Sequence, residues 1–164
     1  MKFTIPVPIK IVAMCLAATA FYTYIGQLVP QKEVSAPVVI ELSQDLTTAD
    51  LIDIGASIAD GKGLCLTCHT IGKTGALRFP DLAGIGARAG NRIEGFSDLD
   101  YLAQSLYEPD VYIVEGYNPG MPKINKAPIG LTDDEILAVM AWLQSLGGDP
   151  TVGMQTVHSY NEGS

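Results

Sequence analysis

The run Cys65-Leu66-Thr67-Cys68-His69 puts two thiols one turn apart, with an imidazole directly after the second. That C-x-x-C-H spacing is what covalent attachment of a c-type haem requires: each thiol adds to one vinyl group, and the adjacent imidazole reaches the iron from one face. A chain so committed has to build its core around a large flat apolar group.

Two other readings use the same residues. Structural zinc takes four Cys or His ligands, and beyond the motif the chain offers only Cys15, in an apolar N-terminal run, and His158, in a polar tail. A dithiol redox pair needs a strand-helix context, whereas the residues before Cys65 read as a helix running into Gly61 and Gly63. One haem c, bound through Cys65 and Cys68, fits better than either.

An iron held by His69 needs a second axial ligand unless it is to bind substrate. A Met thioether suits electron transfer, because it favours the ferrous state. Met121 is the candidate, in Tyr117-Asn118-Pro119-Gly120-Met121-Pro122-Lys123, where prolines and glycine make a stiff irregular loop able to hold a weak ligand at a fixed point. Met140 sits in a helical pattern and reads as core filler; Met14 and Met154 fall in the apolar N-terminus and the tail, and His158 is a further rival.

Residues 11–29 carry no charge, with Lys2 and Lys10 before them and Lys32 and Glu33 after. A helix of that length just spans a bilayer's hydrocarbon core, and Tyr22 and Tyr24 suit its outer interface. A cleaved secretory signal is the rival, since Ala18-Thr19-Ala20 has the small-x-small form, but the apolar stretch continues beyond it. A lipid on Cys15 fits poorly, because Met14 stands where a small residue is expected. We therefore expect an uncleaved anchor with residues 1–10 cytoplasmic and the rest on the periplasmic side of the cytoplasmic membrane, where c-type haem is attached.

After residue 30 the chain has eight basic and eighteen acidic residues, net −10. That disfavours nucleic acid as a partner and steers encounters toward a basic docking surface.

Residues 30–46 read as an extended linker. Thr47 or Thr48 caps a first helix, with Leu51, Ile54, Ile58 and Leu64 on its apolar side. Residues 70–91 are glycine-rich and read as a loop that wraps the haem. A short helix is predicted over 98–107. A longer one follows over 131–146, capped by Thr132 with Glu135 and stopped by Gly147-Gly148. Its partner is the helix before Cys65, where Gly55 permits close approach. Residues 148–164 form a polar tail, mobile or bound to a partner subunit.

From about residue 49 to 147 this order of elements resembles a class I cytochrome c. The expected fold is all-α: three to four helices around one covalently bound haem, in a domain over 47–147, preceded by a single N-terminal transmembrane helix. Phe79-Pro80-Asp81-Leu82 is similar to the family's G-P-x-L segment, which implies that the Pro80 carbonyl accepts a hydrogen bond from His69. Residues 101–106, Pro109, Gly116-Tyr117 and Met121-Pro122 resemble cytochrome c modules of respiratory complexes, and the resemblance implies that Tyr117 and Arg88 line or buttress the haem.

The function expected is single-electron transfer between redox proteins, without enzymatic chemistry, by a membrane-tethered cytochrome within a respiratory or photosynthetic electron-transfer complex. Small residues Ala13, Ala17 and Ala20 on the anchor favour the subunit over the free carrier. The alternative is a five-coordinate haem acting as a peroxidase-like enzyme or a gas or redox sensor.

Overall fold

Thr47, Ser97 and Thr132 start three helices in the same way. Each hydroxyl accepts the backbone N–H three residues on, and the acidic side chain there, Asp50, Asp100 or Glu135, accepts the cap's own N–H. These reciprocal bonds satisfy donors that a helix start leaves orphaned. They open α2 (Thr48–Asp60), α5 (Asp98–Tyr107) and α6 (Asp133–Ser145).

The computed structural model describes residues 5–28 and 42–160. Its other helices are α1 (Val7–Leu28), α3 (Cys65–Cys68) and α4 (Ile85–Arg88), the last running into a 3₁₀ turn at Ala89–Asn91. Among the described residues there is no strand, so the all-α expectation holds.

The chain divides into two units, 1–38 and 39–164. In the first, α1 is 22 residues long with Lys10 its one charge, long and apolar enough to cross a membrane. It begins at Val7, earlier than the charge pattern predicts, because Pro8 falls in the first turn, where a missing N–H costs nothing.

In the second unit α2 and α6 form the principal pair, with Leu51, Ile58 and Ala59 buried alongside Ile136, Val139 and Met140. Every residue of α6 from Glu135 to Gln144 is buried. The sequence shows an amphipathic stripe, but this helix is covered on all sides, by α2, by α4 and α5, and by the chain's C-terminal segment. Glu135 tolerates this because the Lys62 ammonium lies 2.7 Å from its carboxylate.

Four expectations are corrected. Leu64 is not on α2's apolar side: α2 stops at Asp60, the Gly63 N–H donates to the Ile58 carbonyl at 2.7 Å, and Leu64 turns left-handed at φ 55°, half exposed. Residues 70–91 are not wholly loop, since α4 and the 3₁₀ turn bury Ile85 and Ala89 against the core. The tail is not free: Val152, Met154 and His158 are buried, and Tyr160 stacks on Tyr107. The linker ends early, for Leu42 and Leu46 pack on the core and Gln155 donates to Gln44. Residues 30–41 and 161–164 lie outside the described residues.

Candidate haem site

α3 is a single turn whose N-cap Leu64 carries the left-handed bend just described. The Thr67 hydroxyl donates to the Leu64 carbonyl at 2.6 Å, and the His69 N–H donates to the Cys65 carbonyl at 2.9 Å. Cys65 is half-buried, and burial pushes its thiol's pKa up. Cys68, at the far end of the turn, is exposed.

His69 lies 2.7 Å through Nδ1 from the Pro80 carbonyl oxygen. A carbonyl can only accept, so Nδ1 bears the proton and Nε2 keeps its lone pair, the tautomer a metal ligand needs.

That carbonyl is fixed by how its loop closes. The Leu82 N–H donates to the Thr70 carbonyl at 2.7 Å. The Asp81 carboxylate accepts from the Thr70 hydroxyl and from the backbone N–H groups of Gly72, Lys73 and Ala83, at 2.6 to 2.9 Å. These bonds, the Thr70 hydroxyl foremost, hold its pKa far below the usual carboxylate range. From α4, Arg88 donates to the backbone carbonyls of Asp81 and Ala83. The loop thus keeps its shape although Phe79 stands where the resembled segment has glycine, and the Phe79 ring comes within 6.1 Å of His69, centroid to centroid.

Beside His69 opens a largely apolar cavity of about 1000 Å³, its mouth included. Leu102 and Leu106 of α5, Val139, Trp142 and Leu143 of α6, and Ile85 line it, together with Pro109 and the 112–114 and 117–121 stretches. Of the residues singled out from the sequence, Cys65, His69, Pro80, Arg88, Tyr117 and Met121 all line it and Cys68 does not. The rival ligands lie elsewhere: Met140 and Met154 are buried outside the lining, and His158 packs 5.4 Å from the Tyr107 ring.

The sequence reading missed Arg92, which also lines the cavity and has a buried Nε without a hydrogen-bond partner. Its signal was the spacing, four residues after Arg88 across a helical stretch. Burial, and then the charge of Arg92, lower the Arg88 pKa. Among the described residues neither guanidinium is within ion-pair distance of a carboxylate. Two cations facing an apolar cavity suit a ligand that is apolar in body and anionic at its edge, and a haem with its two propionates has that form. The residues present therefore fit the group.

The cytochrome c family model matches residues 52–147. That is more than half of the chain, and the chain belongs to the cytochrome c family, as a class I c-type cytochrome. A cytochrome c domain carries covalent haem c and works by haem-based electron transfer. No curated protein matches the chain.

Proposed function

We propose that this chain is a membrane-tethered monohaem cytochrome c that passes single electrons between redox proteins as a subunit of a membrane electron-transfer complex. The observation that carries the reading is that His69, with its Nδ1 proton engaged by Pro80, and Met121 line one apolar cavity. Cys65 and Cys68 would hold the macrocycle, and His69 and Met121 would ligate its iron. When bound, the haem supplies a one-electron iron couple.

The chain's own residues do the rest. Pro80 orients the imidazole and raises its basicity. Leu102, Val139 and Leu143 exclude water. Tyr117 and Arg88 buttress the cavity wall, Arg88 by tying down the 81–83 backbone.

The 22 residues of α1 span about 33 Å, enough to act as an anchor. Lys2 and Lys10 at its start keep that end cytoplasmic, which leaves the haem domain on the periplasmic side. Ala13, Ala17 and Ala20 suit a packed span inside a complex.

The test is the visible spectrum of the purified full chain, oxidised and reduced, beside Met121→Ala. A reduced haem c α-band, and a near-infrared band of Met-to-ferric-iron coordination that the variant loses, are expected. Ready carbon monoxide binding by the unmutated reduced protein would mean an open sixth position, and the peroxidase-like or sensing role would replace this one.

A further inference from the structure

The two stretches of chain that build the cavity carry opposite charge. Residues 61–92, which bring Cys65, His69, Pro80 and both arginines to the site, hold five basic residues against Asp81 alone. Residues 93–122, which bring α5 and the Met121 loop, hold six acidic residues and no basic one.

Most of these charges are already engaged. Arg88 and Arg92 line the cavity, Asp98 and Asp100 serve Gln144 and the α5 cap, and Glu108 pairs with Lys123 at 2.6 Å. Of the six acids Glu94, Asp110 and Glu115 are exposed, with no ion pair among the described residues, and it is Asp110 and Glu115 that flank the stretch meeting the cavity. Between them Val111 is 65% and Ile113 40% exposed, and Ile113 also lines the cavity. Neither residues 42–46 nor the C-terminal segment 148–160 lines the cavity. An apolar centre in a charged rim is how transient interfaces are built.

We propose that the 110–115 lip is where a redox partner docks, and that this partner bears basic residues around its own electron-transfer edge. The inference rests on the electron-carrier reading above. Asp110 and Glu115 orient the incoming protein, and Val111 and Ile113 exclude water where the two surfaces meet. One electron leaves one protein and enters the other, and no bond is made or broken.

The test is stopped-flow electron exchange between the haem-loaded full chain and a lysine-rich soluble cytochrome c, repeated with that probe after succinylation of its lysines. With the basic probe at low salt, the Asp110→Asn/Glu115→Gln double variant should be slower by about three- to tenfold. With the succinylated probe it should be faster, and high salt should erase both differences. Val111→Ser should slow exchange without changing its salt dependence. Asp53→Asn/Asp149→Asn removes the same charge from exposed sites elsewhere and should stay within about twofold of the unmutated chain. Equal slowing by both pairs, or no effect of the lip pair, overturns the docking face. A chain with no redox-active haem spectrum would instead overturn the underlying reading.

Discussion

Gly55 rests directly against the Ala138 carbonyl: a β-carbon at Gly55 would stand 2.0 Å from that oxygen and 2.9 Å from the Trp142 Cβ. The obstacle is backbone, so relief requires α2 and α6 to separate. Gly55→Ala should therefore cost about 3 kcal/mol or more, lowering Tm by on the order of 10 °C. Because α6 carries Val139, Trp142 and Leu143 to the cavity, haem content should fall as well. Circular dichroism melts and haem absorbance per chain check both.

That contact was legible in the sequence, since a glycine on the apolar side of one helix facing another helix has few other uses. So were the three long helices of the second unit, because their caps are local side-chain chemistry. What escaped notice depends on tertiary closure. Asp81 looks like any loop acid until Thr70 and three backbone N–H groups converge on it. The polar spacing of residues 148–160 hides that Val152 and Met154 find room beside α6. Gln144, a polar residue of α6, is the one that receives this segment.

Gln144 is 1% exposed. Its Oε1 accepts from the backbone N–H groups of Thr151 and Val152 at 2.9 and 3.1 Å, while its Nε2 donates to Asp98 at 2.6 Å. Gln144→Leu leaves those two N–H groups without an acceptor at a cost of about 2–4 kcal/mol. The C-terminal segment should detach before the domain unfolds, read as faster amide exchange at 151–152 and proteolysis after residue 148. Simultaneous loss of α2 protection would show instead that the segment is part of the global unfolding unit.

His158, in that same segment, packs buried against Tyr107, and burial lowers its pKa despite the opposing pull of Asp133 and Asp100. The unfolded chain binds this proton near the ordinary histidine value and the folded one less readily. Stability is therefore level above about pH 6.5 and falls as pH drops through the folded pKa. His158→Phe, which keeps a ring beside Tyr107, should flatten the Tm profile between about pH 5 and pH 7. An unchanged slope would assign the acid sensitivity to the carboxylates.

Arg88 and Arg92 both line the cavity, but they differ in what else they hold. Arg88 ties down the carbonyls of Asp81 and Ala83, while the Arg92 Nε has no partner. Replacing either with Gln removes a positive charge that disfavours the oxidised, more positive iron, so the reduction potential should fall. A partly desolvated charge is worth about 1–2 kcal/mol, or about 40–80 mV for one electron. Arg92→Gln should show this fall with little loss of Tm, whereas Arg88→Gln should lose stability too, because the loop presenting Pro80 to His69 loses its tie to α4. Spectroelectrochemical titration beside a thermal melt separates the two. A potential unmoved in Arg92→Gln would mean that its charge does not face the haem.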